Sequence, residues 1–241
     1  MNALLKVYWN LVFNLTGLDV SFDVKYNDWS FYLIELKADY QGVKEILAKI
    51  RRLIPREFAH GETRLQIVAC QMRSVQISGP YNEVAIQVPV ESLDDSPSEK
   101  FAHLYLPVST EAARWPGVDI YGFPKFIANI DFTKDENQIA CQLAENEEPI
   151  LEFRMDDKVG TKKKIRWRFY GNRKQRIVIT AFDLEGLILE EEPKENVKFV
   201  LGKHPIAETL KGLLLSNQIV RTMIGHDVTS ILRKPVHIKL I

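Results

Sequence analysis

Lys164-Ile165-Arg166-Trp167-Arg168-Phe169-Tyr170 sets cations and apolar side chains at alternate positions. Successive side chains of an extended strand point to opposite faces, so Ile165, Trp167 and Phe169 share one face and Arg166 and Arg168 the other. The stretch reads as a half-buried strand, and its neighbours repeat the texture. From Phe126 onward the runs 126–132, 138–144, 149–155, 164–170, 176–184 and 196–201 follow one another, parted by turn residues. Upstream, 29–37, 63–78, 82–93 and 100–108 read as strands as well. Helical spacing is confined to two places. Val43, Ile46, Leu47, Ile50 and Ile54 predict a helix over 41–54, ended by Pro55, and Pro205 with Ile206, Leu210, Leu213 and Leu214 predicts a second, shorter one. The pattern is that of an α+β chain, mainly β, whose antiparallel meander closes on itself or packs as a sandwich. With no repeat and no long linker, residues 1–241 read as a single domain.

Composition narrows the function classes. The 241 residues carry 32 basic and 32 acidic side chains, so the bulk charge that draws a protein to nucleic acid or a membrane surface is absent. Forty-six per cent of the residues are apolar, enough for a core that needs no staple. Cys70 and Cys141 lie far apart in apolar stretches and are expected as buried free thiols. The five histidines have no i, i+4 pairing, so no metal is expected. No apolar run reaches 18 residues, and Lys6, Asn10 and Asn14 interrupt the early apolar stretches, so neither a membrane span nor a signal peptide is expected and the chain reads as cytoplasmic.

Lys162 to Arg176 holds eight basic residues in fifteen, but the alternation within it makes a solvated strand face the simpler reading than a nucleic-acid track. The acidic run 190–192 reads as a turn or edge, or as a complement to the basic strand in an oligomer. Glycine-rich phosphate loops, the G-x-S-x-G elbow and the metalloprotease helix motif are missing. What stands out is Trp115-Pro116-Gly117-Val118-Asp119-Ile120-Tyr121-Gly122-Phe123-Pro124-Lys125-Phe126, an irregular path ending on one lysine among aromatic rings. If that amine is buried, it must lose its proton or find a partner; otherwise only its methylenes pack and the head reaches water.

Gly122-Phe123-Pro124-Lys125 resembles the aromatic-proline-lysine motif of the acetoacetate decarboxylase superfamily. The resemblance gives Lys125 the role of Schiff-base lysine. Pro80-Tyr81-Asn82-Glu83 is similar to the family stretch bearing an active-site glutamate, which puts that role on Glu83, and the segment from His204 resembles the family's C-terminal helix. Similarity in order runs from about Asp28 to about Leu214. It implies an antiparallel cone-shaped β-barrel with flanking helices, a small-molecule carbonyl substrate, no cofactor and assembly as a homo-oligomer. Trp29 falls where the family has an arginine, Gln66 where it has a glutamate, Phe126 where the decarboxylase has a second lysine, and Gly117-Val118-Asp119 where it has Gly-Arg-Glu. Trp29, Gln66, Trp115, Phe123 and Phe126 are therefore the expected substrate-binding set.

A lysine amine attacks a ketone only when unprotonated, and at a pKa of about 10.4 roughly one in a few thousand is neutral at pH 7. Without the second lysine, activation falls to desolvation by Phe123, Phe126 and Trp115. The implied reaction is carbon–carbon cleavage of a small or medium β-keto acid or related carbonyl compound. Aldol or dehydration chemistry on the same lysine and a non-catalytic binding barrel are the alternatives. Strand parity argues against Glu83, because it shares a face with Ala85 and Gln87, opposite Val84, Ile86 and Val88, as a solvent-facing glutamate would.

Overall fold

The computed structural model describes residues 22–50, 53–93, 96–192 and 197–237. The early apolar stretches near Leu4 and Leu11, and residues 51 and 52 of the predicted helix, lie outside them. Seven strands close into a barrel: β1 (Val24–Asp39), β2 (Glu62–Val75), β3 (Tyr81–Pro89), β4 (Glu99–Val108), β9 (Thr161–Arg173), β10 (Arg176–Glu191) and β12 (Leu214–Leu232). β12 pairs with both β1 and β10 and so shuts the ring. All neighbours run antiparallel except β4 and β9, which meet in a short parallel seam from Glu99↔Trp167 to Ala102↔Tyr170. Beyond that seam β4 pairs in parallel with β5 (Lys125–Ile127), so a wedge opens between the upper halves of β4 and β9. A second, antiparallel sheet of β6 (Asn129–Lys134), β7 (Gln138–Glu145), β8 (Glu148–Asp156) and β11 (Lys198–Leu201) lies against the outside.

The helices are α1 (Tyr40–Ile50), α2 (Glu111–Asp119) and α3 (Pro205–Leu213). α1 is shorter than the sequence predicts, for Ile54 lies beyond it and is half exposed. α3 starts on His204, whose Nδ1 accepts the Ile206 N–H at 3.2 Å. α2 runs through residues the sequence marks as helix breakers. Thr110 caps it, its side chain accepting the Ala113 N–H, and within nine residues Pro116 costs a single backbone bond.

Two apolar clusters follow from the barrel's two faces. Inward-pointing Trp29, Phe31, Leu33, Phe101 and Trp167 fill the interior. Outward-pointing Ile34, Ile67, Val84 and Ile86 are covered by Val43 and Leu47 of α1, Leu210 of α3 and Leu143 and Phe153 of the second sheet. Strand bulges re-aim side chains at chosen points. β1 shifts register between Tyr26 and Trp29, so that both line the interior, and Asp227 of β12, at φ +49°, takes up the extra residue opposite the step from Trp29 to Phe31. The basic face of β9 finds acidic partners within the chain: Lys162 and Lys164 share Glu185, and Arg166 pairs with Asp183. Of the acidic run, Glu190 pairs with Arg221 and Glu191 with Lys158. Among the described residues no helix is long and apolar enough to cross a membrane, and no group of three metal-binding side chains occurs.

Candidate active site

The wedge between β4 and β9 is filled by α2, the loop after it and β5, and this is what aims Lys125 inward. Gly122 takes φ +65°, and a Cβ there would sit 2.4 Å from the Asn172 carbonyl carbon. Only glycine allows the loop to approach β9 so closely, where the Asn172 N–H donates to the Gly122 carbonyl at 2.9 Å. Phe123 N–H returns to the Gly117 carbonyl, and β5 then pairs Lys125 with Leu106. The lysine stem crosses the helix backbone at Gly117, where an added Cβ would lie 2.4 Å from Cδ and 2.6 Å from Cε.

The Lys125 amine ends 2.6 Å from Glu83 Oε2, and the side chains are 6% and 13% exposed. The Tyr81 ring centroid lies 5.4 Å away. Around this pair the barrel encloses a hollow of about 70 Å³ lined by Trp29, Cys70, Met72, Phe123, Trp167 and Phe169 among others. Its tyrosines and thiol are held protonated. Burial, then the neighbouring Glu83 carboxylate, pushes the Cys70 thiol and the Tyr81 and Tyr26 phenols well above their ordinary ranges.

The expected residues divide. Lys125, Glu83, Trp29 and Phe123 line one hollow. Gln66, Trp115 and Phe126 do not. Gln66 is buried at another level of the barrel, donating to Glu35 at 2.7 Å and accepting from Gln87 at 3.0 Å. Trp115 lies on α2 beside the lining residues Ala113, Pro116 and Gly117, and Phe126 packs on the outer cluster. The expectation that Phe126 and Trp115 wall the amine is thus corrected: of the three rings only Phe123 lines the hollow, and the groups beside the amine itself are the Tyr81 ring and Glu83.

The parity argument against Glu83 also fails, for a physical reason. Both faces of β3 are covered, Val84, Ile86 and Val88 by the outer layer, while Glu83, Ala85 and Gln87 face the hollow. His103, Gln87, Tyr81 and Gly117 are lining residues that the sequence reading leaves out. A register shift between Ile86 and Gln87 on the β3–β4 ladder lets His103 and Leu106, three apart on β4, both face inward. The available signal was the Glu83, Ala85, Gln87 parity itself.

A closed barrel with flanking helices and a lysine–glutamate pair in an apolar interior defines a class of protein before any comparison is made. The family model for acetoacetate decarboxylase matches residues 47–173, and the chain belongs to that family. Among solved structures, acetoacetate decarboxylase from Legionella pneumophila superposes with a TM-score of 0.66 at 14% identity, covering 95% of each chain. The enduracididine biosynthesis enzyme MppR gives 0.65 at 9%, covering 91% of this chain and 88% of its own. An acetoacetate decarboxylase-like enzyme from Sphingomonas wittichii gives 0.60 at 11%, covering 90% and 93%. These are likenesses of fold. No curated protein sequence matches significantly.

Proposed function

We propose that the protein is a Schiff-base lyase of the acetoacetate decarboxylase type, in which Lys125 condenses with a small carbonyl compound and Glu83 moves the protons. The observation that carries this reading is the 2.6 Å contact between the Lys125 amine and Glu83 inside an apolar hollow. Glu83, in hydrogen-bond contact with the amine, is placed to take the ammonium proton. The free amine then adds to the carbonyl carbon, and the protonated Glu83 returns its proton to the departing hydroxyl, leaving water and an iminium ion. That cation draws the electrons of a neighbouring bond, so the bond to a β-carboxylate or β-carbinol carbon can break and leave an enamine. Protonation of the enamine carbon and hydrolysis release the product and restore the lysine.

MppR supports carbonyl chemistry on this scaffold, since its structures hold pyruvate and the condensation product of pyruvate and imidazole 4-carboxaldehyde. The same ion pair favours a second reading, a binding barrel in which Lys125 and Glu83 only neutralise each other. Borohydride reduction in the presence of a small methyl ketone, followed by peptide mass mapping, separates the two. The lyase reading expects a stable adduct on Lys125 that is lost in Lys125→Ala. An unlabelled native protein, or equal labelling of the variant, refutes it.

A further inference from the structure

The hollow's charge inventory points to a substrate class. Among the described residues lining it, Lys125 and Glu83 are the one lysine or arginine and the one carboxylate, and they face each other at 2.6 Å. Imine formation conserves this balance, because the ammonium becomes an iminium and water leaves. A keto acid would add a second anion to a site already holding one. Beside the amine, that anion would meet the Glu83 carboxylate. The other polar lining residues include Gln87, Trp29 and Trp167. These are neutral groups. A neutral amide, hydroxyl or phenol satisfies a carbonyl or hydroxyl oxygen without supplying the charge a buried carboxylate needs.

On the reading that Lys125 forms a Schiff base, we infer that the hollow takes an uncharged carbonyl compound bearing a second oxygen, a β-hydroxy ketone, and cleaves it by retro-aldol chemistry, not by loss of carbon dioxide. The step balances without a co-reactant. Glu83 takes the hydroxyl proton as that oxygen becomes an aldehyde carbonyl; the Cα–Cβ bond breaks, and its electrons neutralise the iminium to an enamine. Glu83 returns the proton to carbon, and the water released on condensation hydrolyses the imine. A β-hydroxy ketone thus becomes one methyl ketone and one aldehyde. With 4-hydroxybutan-2-one these are acetone and formaldehyde.

A matched pair of probes isolates the charge. Acetoacetate and its methyl ester share the keto group and differ in the carboxylate. Borohydride trapping at Lys125 should be at least tenfold faster with the ester, once each rate is divided by that of a free alkylamine with the same probe. Incubation with 4-hydroxybutan-2-one should release acetone, detected by proton NMR, in the native protein and not in Lys125→Ala. Equal or faster trapping of acetoacetate, or release of carbon dioxide from it without acetone release from the hydroxy ketone, overturns the inference and leaves the Schiff base standing. If His103→Gln abolishes that acetoacetate trapping, the imidazole supplies the missing cation and the inference is overturned for that reason. Labelling by neither probe overturns this inference and the Schiff-base reading together.

Discussion

Replacing Gly117 with alanine should disable the lysine while leaving the fold nearly untouched. The new methyl carbon would stand 2.4 Å from Lys125 Cδ, 2.6 Å from Cε and 3.2 Å from Cγ. Carbon atoms in ordinary contact are about 3.5–4.0 Å apart, so the stem must move by more than about 1 Å. Three consecutive methylenes are struck, and rotation of the last bond cannot relieve the overlap. Displacement of about this size at a reacting centre costs on the order of a hundredfold in rate, or about 2.7 kcal/mol. The stability balance is different. Alanine for glycine in a helix gains up to about 1 kcal/mol, and overpacking costs about 1–3 kcal/mol, leaving a net loss between roughly zero and about 2 kcal/mol. The assay is the borohydride trapping rate beside a thermal melt, with Gly117→Ala also made in the Lys125→Ala background. Trapping should fall by about two orders of magnitude with a melting loss of up to a few degrees, and once the stem is gone that loss should disappear, leaving no change or a small gain. Trapping within about threefold of the native rate in a folded variant would show that Gly117 does not hold the amine in place.

Three further outcomes follow from the same geometry. Glu83→Gln removes the group that takes the ammonium proton and returns it to the departing hydroxyl, so turnover should fall by about 10²–10⁴-fold and borohydride adduct formation should slow with it; retained turnover would remove Glu83 from the proposed chemistry. Cys70, its thiol pushed up by burial and by the Glu83 charge, should resist iodoacetamide at pH 8 in the folded protein, and alkylation at the rate of a free thiol would contradict the enclosed site. Hydrogen bonds from Arg166 and Arg233 hold the Asp183 carboxyl below its ordinary range. Its folded pKa is lowered, so its contribution is fully present above the unfolded value near 3.9 and is lost as pH falls through the folded one. Asp183→Asn should therefore narrow the gap between melting temperatures at pH 6 and pH 3, and an unchanged gap would show the pair to be idle.

How far the sequence reaches can be judged strand by strand. The alternation in 164–170 fixes which side chains of β9 share a face, and Trp167 and Phe169 do lie inside with Arg166 outside. β12 escaped notice, although at 19 residues it is the longest strand and the one that closes the ring. Its register shifts against β1, with Asp227 at positive φ, break the period of two on which recognition depends. α2 escaped because Pro116 and Gly117 read as breakers, while Thr110 and a nine-residue length make both tolerable.

The amino-acid order alone determines the β-rich content, the two faces of each regular strand and the unusual lysine of the Gly122-Phe123-Pro124-Lys125 segment. Alternation says that two faces exist and leaves open what lies against them, because the covering groups come from far along the chain. Closure of the barrel made Glu83 an interior residue instead of a solvent-facing one. The parting of β4 from β9 opened the space through which Lys125 enters, and two side chains 42 positions apart met at 2.6 Å only because those separate decisions share one interior.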